Sequence, residues 1–356
     1  MRPVAITVEL TGSCLAMKIS KLVIVLAVSL VVVTAAIVLI TSFGLASINH
    51  EHEVRHFGTL GVFAVAFSPD GKYALSANDD RTIRLWNVDT GEEVRRFVGH
   101  DDKVNSVAFS PEGKSLLTAS DDSTIRLWDV ATGTEIRSFR GHELNVNSAR
   151  FSPDGRYALS AGLDDTVRLW DLKTGAETRR FEGYTHTGRF VNSGHEANDA
   201  AFSPDGRLIA AAYDDGLVLW NAQTAEKVHQ FFECPWAYYV EFSSDGHYLT
   251  TGDQGALRFW DAQSYREVRH IELNGYSGYK FSLSSDGHFL LSKTQERAAG
   301  VWDLQTGRQI AAFYGQKPDD FTSFAISPDA RLALTGTKEW EVDPQNDGSM
   351  QLWRLP

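Results

Sequence analysis

The chain has 356 residues, with 34 Lys and Arg against 46 Asp and Glu, for a net charge of −12. A general nucleic-acid binder needs basic surface to displace phosphate counterions, so this balance argues against that class. Two cysteines, Cys14 and Cys234, exclude a disulfide-stapled scaffold and a Cys-rich metal site.

Leu22 to Ile40 is a run of 19 residues without a charge, with Ser29 and Thr34 as its polar members. At about 1.5 Å per residue it spans roughly 28 Å, close to the thickness of bilayer hydrocarbon. Arg2, Lys18 and Lys21 precede it, and Glu51 and Glu53 follow. The positive-inside count then predicts residues 1–21 in the cytoplasm, 22–40 as a transmembrane signal anchor, 41–50 as a linker, and 51–356 on the extracytoplasmic side. The competing reading is a signal peptide cut near Ala46, at the small-x-small sequence Gly44-Leu45-Ala46, which leaves a secreted protein. Signal-peptide cores usually run about 7–15 residues, so the length of this run favours the anchor. Met17 opens Met-Lys-Ile-Ser-Lys, a more usual start for such a segment. Residues 1–16 therefore read as the product of an upstream start codon, and Cys14 goes with them.

The rest of the chain is one repeated unit. Phe67-Ser68-Pro69-Asp70-Gly71 recurs at Phe109–Gly113 (with Glu112), Phe151–Gly155 and Phe202–Gly206, and more weakly at Phe242–Gly246, Leu283–Gly287 and Ile326–Ala330. A Trp follows each of the first six acidic positions by 15–16 residues: Trp86, Trp128, Trp170, Trp220, Trp260 and Trp302. The seventh, Trp353, comes late, after an insertion. Seven copies at this period fall in the 40–45-residue repeat class.

Each unit predicts four short strands. In the second, Val104–Ser110 is an apolar strand, and Pro111-Glu112-Gly113 is a turn in which Pro fixes φ and Gly allows φ > 0. Ser115–Thr118, Thr124–Trp128 and Glu135–Phe139 follow as strands, separated by Asp121-Asp122-Ser123 and Ala131-Thr132-Gly133. No segment after residue 50 has a sustained helical period, so this part is all-β.

These residues resemble the WD-repeat β-propeller family. Trp-Asp stands at 128–129, 170–171, 260–261 and 302–303, Trp-Asn at 86–87 and 220–221, and Gly-His at 99–100 and 141–142. The resemblance covers about residues 51–356 and implies a seven-bladed β-propeller; with the N-terminal segment it describes a bacterial-type, membrane-anchored member. Only three residues follow Trp353, so the seventh unit lacks a fourth strand. Glu53-Val54-Arg55-His56-Phe57 matches the fourth-strand pattern Glu93-Val94-Arg95-Arg96-Phe97. Residues 51–57 are therefore expected to complete the seventh blade, which removes the open edges of the ring.

The polar residues His100, Thr118, Asp122 and Trp128, and in the next unit His142, Ser160, Asp164 and Trp170, sit at the same offsets. The resemblance implies buried hydrogen-bond chains from Trp through Ser or Thr to His and Asp. An indole N–H is donor-only and needs an acceptor when buried. A Ser-His-Asp set also suggests hydrolysis, but repetition at equal spacing points to architecture. Other motifs are bland. His142-Glu143 and His195-Glu196 lack a second His four residues on, and Gly113-Lys114-Ser115 lacks the earlier Gly of a phosphate loop. Asp343–Gly348 lacks the ligand pattern of a calcium hand and reads as a surface loop.

The irregular positions carry the functional expectation. Seven of the nine Trp mark units; the two left over, Trp236 and Trp340, fall in departures from the repeat. The long connection after Gly183, the Phe231–Tyr239 segment, Asn274–Tyr279 and the insertion around Trp340 all map to one face, on units four to seven. Loops on a rigid scaffold tend to carry function, and aromatics favour binding hot spots. The expected function is thus a membrane-anchored, non-catalytic scaffold that takes a protein or peptide partner on Tyr184, Phe190, Trp236, Tyr238, Tyr276 and Trp340, without cofactor or metal. Tyr239 and Tyr279 are instead expected in the core, in place of the missing His networks. The rivals are an extracytoplasmic hydrolase or lyase using the central opening, with His186, His195, Glu233 and Asp343 as loose candidates, and a carbohydrate-binding envelope factor.

Overall fold

The computed structural model describes residues 52–58, 61–183, 196–231, 234, 236–253, 255–272, 280–294, 298–314, 320–338 and 349–356. All belong to the unit His52–Pro356, which is distinct from Met1–Glu51. Among the described residues no helix is long and apolar enough to cross a membrane. The expected anchor, 22–40, lies outside the described residues.

Seven four-stranded antiparallel sheets form the blades of a propeller. Blade one runs from Val62 to Phe97, blade two from Val104 to Arg140, blade three from Val146 to Glu182, and blade four from Ala197 to Phe231. Blade five spans Tyr239–Glu272, blade six Phe281–Phe313, and blade seven Asp320–Arg354. In blade two the strands are Val104–Phe109, Ser115–Ser120, Thr124–Asp129 and Glu135–Arg140. The first strands of all seven blades line a central cavity. The first-to-second turns are built alike. Ser68 Oγ donates to Asp70, Asp70 accepts from Lys72 N, and Gly71 turns the chain at φ 71°, a value a β-carbon disfavours.

The ring closes through its N-terminal strand. Glu53–Phe57 pairs antiparallel with Met350–Arg354, as the fourth strand of blade seven, with Phe57 opposite Met350 and Arg55 opposite Leu352. Joints between blades repeat as well. The last Phe of one blade packs on the Trp of the next, as in Phe97–Trp128 (6.0 Å between ring centroids), Phe139–Trp170 (5.8 Å) and Phe231–Trp260 (5.0 Å). The closing strand supplies the same joint to blade one, with Phe57 at 5.6 Å from Trp86. Arg95 and Arg137, on fourth strands, reach turn carbonyls of the following blade at Thr132 and Thr174. Arg55 does the same to Thr90.

Candidate functional site

The structure assembles both repeated polar sets. His100 Nδ1 is 2.8 Å from Asp122, its Nε2 is 2.7 Å from Thr118 Oγ1, and Trp128 Nε1 donates to the same hydroxyl at 3.0 Å. In blade three, His142 lies 2.8 Å from Asp164 and 2.8 Å from Ser160, and Trp170 donates to Ser160 at 2.9 Å. The constellation resembles a Ser-His-Asp triad, but its setting is wrong for attack on a substrate. Thr118 and Ser160 are fully buried, both His are buried, and each hydroxyl already accepts from an indole. The same Trp-to-hydroxyl bond holds Trp86 to Ser76, Trp260 to Thr251 and Trp353 to Thr335. Each is worth about 1 kcal/mol net, and more is lost if a buried partner is orphaned.

An arginine that sequence reasoning overlooked completes each network. Arg126 bridges Asp122 (3.6 Å) and Glu135 (2.9 Å), and Arg168 bridges Asp164 and Glu177, both at 2.9 Å. Arg84 and Arg258 repeat the pattern in blades one and five. The sequence signal was present: Arg stands two before Trp, and Glu nine after Arg, at 84 and 93, 126 and 135, 168 and 177, and 258 and 267. Blade four shows how the network is replaced. Val218 stands where Arg would be and Ala211 where the hydroxyl would be. Buried Tyr213 packs its ring 6.2 Å from Trp220. A β-carbon at Gly183 would collide with that Tyr ring.

Burial works against ionisation of Asp122 and Asp164. Hydrogen bonds from His100 and Thr124, and from His142 and Thr166, overcome it and hold both carboxyls well below the usual range. A carboxylate depressed in the folded state stabilises fully above its unfolded pKa, near 4, and loses that stability as pH falls toward the folded value. Unfolding midpoints measured from pH 6 to pH 2 should therefore drop below about pH 4. Asp122→Asn with Asp164→Asn should start about 1–3 kcal/mol less stable per site and decline less steeply in acid. An equal decline in the variant would refute the assignment.

Of the residues expected at the partner face, Trp236 and Tyr238 are described; Tyr184, Phe190, Tyr276 and Trp340 lie outside the described residues. Trp236 sits half-buried on the connection between blades four and five, at φ 63°. Its N–H donates to the Asp214 carbonyl at 2.6 Å, and the next residue, Ala237, donates to Tyr213 at 3.2 Å. Cys234 and Ala237, flanking it, are fully buried. The four loose catalytic candidates, His186, His195, Glu233 and Asp343, and Tyr279 also fall outside the described residues. Among the described residues no group of three or more His, Cys, Asp or Glu could hold a metal ion.

Tyr239 differs from expectation. It does not replace a His network; it faces the central cavity, edge-on to Phe281 at 4.6 Å and under the guanidinium of Arg150 at 4.9 Å. The replacement for a lost network comes from Tyr213, on a second strand.

The cavity has a volume of about 590 Å3. Its lining includes, in every blade, the residues one and three places before the last residue of the first strand, which is Phe in blades one to five, Leu283 in blade six and Ile326 in blade seven. In blades one, two and seven these are Ala66 and Ala64, Ala108 and Ser106, and Ala325 and Ser323. Blades three to six put Arg150, Asp199, Tyr239, Glu241 and Lys280 there. Arg150 pairs with Asp199 at 2.8 Å. Lys280 Nζ crosses to the carbonyls of Phe63 and Asn105, each at 3.2 Å.

Seven blades, a Trp held in five of them to a strand hydroxyl, and closure by an N-terminal strand define a WD-repeat β-propeller. Residues 61–346 match the family model described as the IFT122 first beta-propeller, and the chain belongs to that family. Over 166 residues it is 29% identical to a protein named guanine nucleotide-binding protein subunit beta from Oryza sativa subsp. indica. That alignment covers 43% of this chain and 43% of the relative, so the chain spans less than half the length of the curated relative it matches.

Proposed function

We propose that the protein is a non-catalytic scaffold that captures a protein or peptide partner on the irregular loop face of blades four to seven. The propeller is held outside the cytoplasm by an anchor at residues 22–40. The observation that carries the reading is Trp236. Six other described non-glycine residues, Tyr265 among them, take positive φ in the regular turns of the repeat; Trp236 does so on an irregular connection, where strain of the order of 1–3 kcal/mol persists only if the surrounding structure fixes it. Here two backbone hydrogen bonds and two fully buried neighbours hold the segment. The Trp236 side chain is half-buried, which leaves part of it accessible. The matched relative is named as a subunit, in keeping with a propeller that works by assembly.

Capture from detergent-solubilised membranes tests this. Trp236→Ala with Trp340→Ala should keep the unfolding midpoint of the parent yet retain less than about a tenth of a partner that the parent captures, as expected when aromatic anchors are removed from an interface. Loss of expression, or unchanged capture, would overturn the reading. Alkaline extraction and protease protection of sealed cells test the anchor and its orientation. Release of the propeller into the soluble fraction would favour cleavage near Ala46.

A further inference from the structure

The central cavity, which Tyr238 also lines, is a second candidate site. Its volume, about 590 Å3, lies in the range of small-ligand pockets, roughly 300–1,000 Å3. It extends to the prolines of the first-to-second turns, Pro69, Pro111, Pro153, Pro204 and Pro328, on the face opposite the irregular loops. At its other end Lys280 reaches from blade six to the backbone of blades one and two.

Arg150 is fixed within this space from two sides. Asp199 takes one of its N–H groups at 2.8 Å, and Tyr239 lies beneath its plane. A quarter of its side chain, 25%, remains open, whereas Asp199 is only 3% exposed and also accepts from Val240 N at 3.2 Å. Lys280 has three N–H donors and uses two on carbonyls. The remaining acid is Glu241. Its Oε2 is shut away from solvent and has no donor. Burial pushes its carboxyl up to about 7, against the pull of Arg150. Burial also brings Lys280 down to about 8, with Asp199 opposing and Lys103 and Arg150 adding to the shift. Arg150 and Lys280 therefore face one buried anion, Asp199, and one carboxyl, Glu241, that burial pushes toward its neutral form. Blades one, two and seven add no charge to the lining, only Asn105, small residues and apolar ones. This is a positive interior in a ring that carries 31 Lys and Arg against 45 Asp and Glu from residue 51 onward.

We infer that the cavity binds a small organic carboxylate, entering from the proline face, with the open edge of Arg150 as its bidentate partner and the third Lys280 N–H as a further donor. A planar carboxylate matches the guanidinium fork, and Asp199 with Tyr239 prevents the fork from turning away. The carboxylate belongs either to a free acid or to a peptide C-terminus. Binding is coupled to Glu241, because a second negative charge in the same cavity opposes the ligand.

Calorimetric titration of the full chain tests this with succinate, and with acetyl-trialanine bearing a free or an amidated C-terminus. Succinate binding assigns the site to free acids. Binding of the free but not the amidated peptide assigns it to peptide ends. Affinity for the ligand that binds should fall roughly tenfold from pH 6 to pH 8 as Glu241 ionises and Lys280 begins to lose its proton, and Glu241→Gln should reduce that fall, leaving the smaller part that Lys280 contributes. Arg150→Lys keeps the charge but loses the fork, and should weaken binding about tenfold or more. If Arg150→Lys does not fold, Arg150→Gln with Asp199→Asn, which removes both members of that ion pair, should fold and lose binding. No binding of either carboxylate, equal binding of the amidated peptide, unchanged affinity in the Arg150 variants, or affinity that rises with pH would overturn the proposal.

Discussion

Phe57→Ala is expected to lower the unfolding free energy by about 3–5 kcal/mol, the usual cost of truncating a buried Phe. The residue is 1% exposed and shares a cluster with Val62, Trp86, Met350 and Leu352. It therefore joins the last blade to the first, and its loss loosens both. Deleting through residue 57 should do more. It removes the pairing with Met350–Arg354 and the Arg55 contacts with the carbonyls of Asp89 and Thr90. It also bares an edge strand rich in apolar residues, a template for aggregation. Denaturant unfolding of chains starting at residue 52 and at residue 58 compares the two states directly. The first should unfold in one cooperative step as a monomer. The second should lose cooperativity or sediment as aggregate. Equal midpoints for the two chains would show that the closing strand does not hold the ring.

The closure was readable because Glu53–Phe57 copies a pattern present in other units, and the fold was readable for the same reason. The blades repeat the same turn and the same joint, and five of them the same indole hydrogen bond, so the solution is written several times. Arg168 and its equivalents were just as repetitive, yet a charged residue two before Trp reads as solvent-facing until its carboxylate partners are placed around it. The cavity was harder still. Arg150, Asp199, Glu241 and Lys280 each occur once, and strand alternation alone does not say that their face is the axis of a ring rather than an outer surface. Their signal is an interruption: positions that hold Ala or Ser in units one, two and seven carry charge or bulk in units three to six. Tyr213 was hidden by the opposite logic. It fills the place of a network that blade four has lost, and Ala211, Val218 and Gly183 make sense only together with its ring.

Arg168→Ala should be the most damaging single change among the buried polar residues, at about 3–5 kcal/mol. The side chain is 2% exposed. It donates to Asp164 and Glu177 at 2.9 Å and, through Nε, to Thr166 at 2.9 Å. Removing it takes the guanidinium from Asp164, which is nearly sealed at 6% and keeps only His142, Thr166 and the Glu143 N–H, and leaves Glu177 with Arg180 alone. The cost comes from those under-compensated charges, Asp164 above all, rather than from the attraction lost, since buried pairs recover much of their Coulomb energy only as compensation for desolvation. Neutralising the partners should therefore reduce the damage. In a background of Asp164→Asn and Glu177→Gln, Arg168→Ala should cost less than half as much as in the parent, and the coupling read from the full cycle should exceed about 1 kcal/mol. Blade four already embodies the end point at this position, with buried Val218 in place of the arginine. If Arg168→Ala costs the same in both backgrounds, the arginine acts through packing beneath Gly141 and against Trp170, and the carboxylates around it are bystanders.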